Sequence, residues 1–191
     1  MEIEVALIRH ALERDEAGFF GLTDTPLPKA AIKRITLQKE KYPQAALVFS
    51  SNLVRCVDTA KIIYPSVPIV VLKKLGAPDY GDFEGMTFEV LKENELFQKW
   101  ASASDVGACP NGEEPFSIIT RSTAAFKQLC DESAGKGLRK IAVVTHQFII
   151  QAILQRYYVP RKYEDWKVPA GGGYLLRYHT LTTAAKILDK F

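Results

Sequence analysis

Ile3-Glu4-Val5-Ala6-Leu7-Ile8-Arg9-His10 is the stretch that decides the fold class. A short apolar run rich in β-branched side chains ends abruptly in a polar pair. That is the pattern of a strand buried on both faces whose carboxyl end opens into a surface crevice. Ala46-Leu47-Val48-Phe49 repeats it and breaks into Ser50-Ser51-Asn52, and Ile141-Ala142-Val143-Val144 repeats it and breaks into Thr145-His146. Ile69-Val70-Val71-Leu72 is a fourth run. Strands of this kind need cover on both sides, so they predict a mostly parallel sheet.

Helical patterns fill the intervals. Ala30 to Lys41 closes before Pro43, and Leu53 to Ile63 follows the Ser-Ser-Asn capping cluster and stops before Pro65. From Pro115 to Asp131, Phe116, Ile119, Thr123, Phe126 and Cys130 recur at helical spacing, which predicts a core-facing stripe. Phe148 to Tyr158 reads as a further helix opening directly after His146. Gly171-Gly172-Gly173 releases a strand from Tyr174 to Tyr178, and Ala184 to Leu188 fits either helix or strand. The alternation predicts one domain over residues 1–191, a three-layer doubly wound α/β fold with helices on both faces of the sheet. The longest excursion, Leu75 to about Gly112, is expected to lie over the active face.

The composition suits such a domain: 191 residues, 47% hydrophobic and 25% charged. A net charge of +3 is too small to argue for a nucleic-acid or membrane surface, so any anion site must be local. No run approaches the roughly 18 apolar residues of a membrane span. Cys56, Cys109 and Cys130 form no C-x-x-C pair, so a reducing cytoplasm is the expected setting.

In open α/β sheets the ligand crevice lies outside the carboxyl ends of the strands. Arg9-His10, Ser50 to Arg55 and Thr145-His146 all fall there, bringing together two guanidiniums and two of the three histidines. One histidine at a strand end is ordinarily structural, whereas two at matched ends point to a site. Adjacent arginines repel a divalent cation but match phosphate oxygens in forked pairs. The amides opening the helix after His146, Gln147 first, would add donors for the same anion. No Gly-rich loop follows the first strand, which argues against a nucleotide-binding flavodoxin-like domain.

In order and spacing, Leu7-Ile8-Arg9-His10-Ala11, Gly21-Leu22-Thr23-Asp24-Thr25-Pro26-Leu27, Ser50-Ser51-Asn52-Leu53-Val54-Arg55 and Val144-Thr145-His146 resemble the histidine phosphatase (phosphoglycerate mutase-like) superfamily. The likeness continues through Tyr80-Gly81-Asp82-Phe83-Glu84-Gly85 and Asn111-Gly112-Glu113. It implies that His10 attacks phosphorus and carries the phosphoryl group, while Arg9, Arg55 and His146 hold its oxygens, with no metal or other cofactor. His10 must then be neutral at its attacking nitrogen, and His146, among anions, is expected to be protonated over part of the working pH range. Thr23 is a further substrate-contact candidate, although Thr23 and Asp24 also suit a turn. Cys56, next to Arg55, is expected to face another side.

The chain departs from the family in places. Where relatives usually carry the glutamate that protonates the leaving oxygen, it has Ala77. Asp79 and Glu13 are the candidate replacements, ahead of Asp82 and Glu84. Ala11 stands where the family has glycine and would crowd the nucleophile loop if that backbone needed positive φ. The chain's compact middle segment resembles the α-ribazole and broad-specificity phosphatase branch. The expectation is a metal-independent phosphomonoesterase acting on a small phosphorylated metabolite. Two alternatives stay open: an impaired member that binds a phosphate-bearing ligand or phosphoprotein, and mutase-type phosphoryl transfer.

Overall fold

The computed structural model describes residues 1–14, 17–103, 107–158 and 163–191. The chain runs β1 (Glu2–Arg9), α1 (Lys29–Leu37), β2 (Leu47–Ser50), α2 (Val54–Ile63) and β3 (Ile69–Val71). It continues through α3 (Phe88–Leu91), α4 (Glu95–Ala101), α5 (Pro115–Gly135), β4 (Lys140–Thr145), α6 (Gln147–Tyr157), β5 (Gly173–His179) and β6 (Ala185–Lys190). One sheet has the order β3-β2-β4-β1-β5-β6. β1, β2, β3 and β4 pair in parallel, and β5 and β6 are antiparallel additions at one side. The undecided stretch near the C-terminus is therefore a strand.

Side-chain alternation along the strands builds the three layers. Val5 and Leu7 of β1 and Ile141 and Val143 of β4 face α5 and α6, meeting Phe126, Leu129, Ile149 and Ile153. Ala6, Ile8, Ala142 and Val144 face the other way onto Cys56, Ala60 and Ile63 of α2. α1 adds a smaller cluster, Ala31 and Ile35 with Ala11, Leu12 and Leu27.

Several details differ from the reading of the sequence. α1 ends at Leu37, and the remaining predicted residues form a 3-10 turn, Lys39–Lys41. The stripe on α5 is rotated: Ile118, Ser122, Ala125, Phe126, Leu129 and Cys130 are buried, whereas Phe116 is 79% exposed. Phe116 sits in the first turn, before the helix reaches the sheet. α2 receives no side-chain cap from its N-cap Leu53; Asp24, in the loop before α1, accepts from the Val54 amide at 2.6 Å instead. Among the described residues no helix is long and apolar enough to cross a membrane.

Candidate active site

The register of the parallel strands makes the site. β1 and β4 pair through Arg9 opposite Thr145, and β2 pairs with β4 through Ser50 opposite Val144. Arg9-His10, Ser51 and His146 therefore leave the sheet side by side, and α2 brings Arg55 over the same edge. The His10 and His146 rings lie 5.1 Å apart, edge to face. A cavity of about 680 Å³ opens above them, with Arg9, His10, Arg55 and His146 in its lining. The structure thus brings together the four residues singled out in the sequence.

Each is held differently. Arg9 Nη1 donates to the Val168 carbonyl at 2.9 Å, while its Nε is buried without a partner. His10 Nδ1 is likewise buried and meets no acceptor in full hydrogen-bond geometry, only the weaker pull of the Leu12 backbone, which leaves Nε2 as the ring nitrogen available to the cavity. Buried polar atoms without partners are rare in folded proteins, and two here lie on adjacent residues. Arg55, only 2% exposed, donates to the carbonyls of Gly21 at 2.6 Å and Thr23 at 3.0 Å and pairs with Asp24 at 3.4 Å. It therefore clamps the loop before α1 onto the sheet edge.

Arg55 Nη2 also lies 3.4 Å from His146 Nδ1, and His146 Nε2 lies 2.9 Å from Ser51 Oγ. A guanidinium only donates, so this network assigns Nδ1 as acceptor and places the proton on Nε2 of a neutral imidazole. Burial, then the charges of Arg55, Arg9 and Arg14, hold the His10 pKa well below its ordinary value; the Leu12 backbone opposes the fall. Burial, then His10 and the arginines, does the same to His146. In the free protein His146 is therefore held neutral, first by burial and then by its neighbours, so the protonated form expected among anions belongs to a cavity that holds one. Cys56 also differs from expectation: its Sγ lies 3.5 Å from His146 Nε2, and burial pushes the thiol up to about 12.

The remaining candidates scatter. Gln147 lines the cavity and opens α6; its side chain bonds the Val168 amide and the Trp166 carbonyl, which leaves the backbone amide as the candidate donor. Glu13 lines the cavity too, with its carboxylate 2.8 Å from Arg34 and 63% exposed. Asp79 is not in the lining; it accepts from the Gly81 amide at 2.8 Å and shapes a turn. That turn needs glycine, since Gly81 has φ +53° and a Cβ would meet the Pro110 carbonyl at 2.1 Å. Thr23 also lies outside the lining, its hydroxyl 2.6 Å from Glu84. Glu84 further accepts from the amides of Thr23 and Gly21, and Asp82 accepts from Asn111. Both acids brace loops rather than face the cavity. Ala11 adopts no positive φ and donates its amide to Thr59, so it does not strain the loop.

Ala77 lines the cavity as expected of its place in the sequence. Its segment is propped by Arg121, which donates to the carbonyls of Lys74, Gly76 and Ala77 and forks onto Glu113. Although burial works against it, Arg121 holds the Glu113 carboxyl below the usual carboxylate range. The excursion from Leu75 does cover the active face, through Ala77, Pro78, Tyr80 and Phe88. Reading the sequence missed the aromatic character of this wall, because Phe20, Tyr80, Phe88 and Phe148 follow no period.

Residues 5–184 match the model of the histidine phosphatase superfamily (branch 1). No curated protein matches the sequence. Among solved structures, an α-ribazole phosphatase from Shigella flexneri is 21% identical, with a TM-score of 0.80 over 98% of this chain and 96% of that one. A mycobacterial glucosyl-3-phosphoglycerate phosphatase is 18% identical, with a TM-score of 0.76 over 98% of each chain. A phosphoglycerate mutase from Bacillus anthracis is 16% identical, with a TM-score of 0.78 over 100% of this chain and 92% of that one. At these identities the neighbours establish a shared phosphoglycerate mutase-like fold. Taken with the family match, which runs over nearly the whole sequence, they lead to one conclusion: the chain belongs to the histidine phosphatase superfamily.

Proposed function

We propose that the protein is a metal-independent phosphomonoesterase that works through a phosphohistidine on His10, on a small phosphorylated metabolite in the cytoplasm. The observation that carries this reading is a neutral, buried imidazole set among arginines at the floor of an open cavity. A nucleophile needs its lone pair, and the low pKa leaves His10 unprotonated at neutral pH. Nε2 attacks phosphorus in line while the proton stays on Nδ1. Arg9 and Arg55 set their positive charge beside the phosphoryl oxygens, where preorganised cations act on charge as it develops. An anion in the cavity also reverses the sense of the field on His146, favouring its protonated form as an oxygen ligand. Water then attacks the phosphohistidine, releasing inorganic phosphate. Three buried, unpaired cysteines fit a reducing compartment.

Phosphate release from 4-nitrophenyl phosphate in excess chelator tests the proposal. Turnover should be unaffected by chelator, and His10→Ala should lower it by at least about a thousandfold, as loss of a nucleophile does elsewhere. Substantial turnover by His10→Ala, or a loss in chelator that a divalent metal restores, contradicts the reading.

A further inference from the structure

Four aromatic rings face the cavity that holds His10: Phe20, Tyr80, Phe88 and Phe148. They come from separate segments, the loop before α1, the excursion before α3, α3 itself and the first turn of α6. Three are fixed in place. Tyr80 and Phe88 both stand edge-on against Phe19, at 5.0 and 5.4 Å, and the Arg14 guanidinium sits 4.2 Å over Phe20. Phe88 remains 44% exposed although its ring stands against Phe19. Rigid rings around a cleft of this size favour a flat apolar ligand, because ring contacts add to simple area burial.

The same wall offers little help to a departing alkoxide. Among the described lining residues Glu13 is the one carboxylate, and it is turned onto Arg34. Ala77 presents only a methyl group. An ester that leaves as a stable anion needs no proton at that moment.

Resting on the phosphatase reading above, we propose that the substrate is an aryl phosphate, with an aromatic ring bonded directly to the bridging oxygen and seated among these four rings. The His10 Nε2 lone pair forms the N–P bond as the P–O bond to the ring breaks. That electron pair leaves on oxygen as a phenolate, which takes a proton from solvent afterwards. Water then forms the new P–O bond and gives one proton to solvent, balancing the one taken by the phenolate, the N–P pair returns to the imidazole, and inorganic phosphate departs with the water's oxygen.

Phenyl, 2-phenylethyl and ethyl phosphate separate the two parts of the proposal, since the second carries the ring but leaves as an alkoxide. kcat/KM for phenyl phosphate should exceed that for 2-phenylethyl phosphate by about a hundredfold or more, the usual worth of a missing general acid. 2-Phenylethyl phosphate should in turn bind better than ethyl phosphate. Phe88→Ala and Phe148→Ala should each reduce the preference for 2-phenylethyl over ethyl about two- to tenfold. Equal turnover of phenyl and 2-phenylethyl esters overturns the aryl assignment and leaves the phosphatase reading standing. An unchanged preference in both phenylalanine variants overturns the role of the rings. Absence of hydrolysis of all three esters, with no phosphorylated His10, overturns the phosphatase reading and the aryl assignment together.

Discussion

The strand ends of β1, β2 and β4 and the loops that cover them are built on opposite terms. At the strand ends, polar groups are buried and their positions follow from the register of the sheet; Ser51 is 0%, Arg55 2% and His146 4% exposed. In the loops, aromatic side chains face the cavity and the backbone is held by carboxylates reaching across chain segments, Glu84 to Gly21 and Thr23, Glu113 to Arg121. Neither arrangement does the work of the other. A sheet edge holds charged groups in a fixed relation to one another, which is what positioning for chemistry requires. Loops held by a few side-chain bonds can change their lining without disturbing that edge. On the proposed function, the difference assigns the reaction to the floor of the cavity and the choice of ester to its wall.

Arg55 is the joint between the two regions, and replacing it should produce the larger effect. Arg55→Lys keeps the charge but loses the planar fork that reaches Gly21, Thr23 and Asp24 together. kcat/KM for an aryl phosphate should fall about a hundred- to a thousandfold, as on removal of an oxyanion donor. Inhibition by inorganic phosphate should weaken in parallel. A fall confined to KM, with kcat intact, would mean that the guanidinium serves the loop alone and would break the division into floor and wall.

A smaller effect is expected in stability, and it belongs to the floor only. In the unfolded chain His10 and His146 titrate near the ordinary value of about 6.5. In the folded protein both pKa values lie well below it, first because of burial. Between those values the unfolded chain binds protons that the folded one does not. The stability contributed by the two neutral rings is therefore fully present above about pH 6.5 and declines as pH falls toward the folded values. The slope reaches about 1.4 kcal/mol per unit for each histidine. Thermal unfolding from pH 7.5 to 5 should show this loss, and the His10→Asn/His146→Asn double variant should flatten it. An identical slope in the double variant would show that the strand-end imidazoles are not held neutral.

Much of the floor was legible in the sequence because it rests on local signals. An apolar run that stops at Arg9-His10, or at Thr145-His146, reports both the strand and the end from which its polar residues project. The unbroken apolar runs, read as strands covered on both sides, agree with the two core faces found on β1 and β4. The wall was not legible, for reasons of long range. Asp24 caps α2 and Glu84 ties the amides of Gly21 and Thr23 to its own turn, pairings across 30 and 61 to 63 positions that no spacing rule announces. The face of α5 was misread because Phe116 fits the helical period yet precedes the part of the helix that meets the sheet. The low pKa of His146 in the free protein was not legible either, because it comes first from burial and then from charges brought together by the fold.

The central claim is that His10 carries the phosphoryl group, and one measurement addresses it directly. The wild-type protein is mixed with a ³²P-labelled aryl phosphate, quenched in alkali within the first turnover, and the label is located by peptide mapping. The account predicts label on the peptide containing His10, in an N–P bond that survives alkali and is lost in acid, and no label in His10→Ala. Label on any other residue, or steady release of phosphate by wild type with no labelled protein at any time in the first turnover, would contradict it.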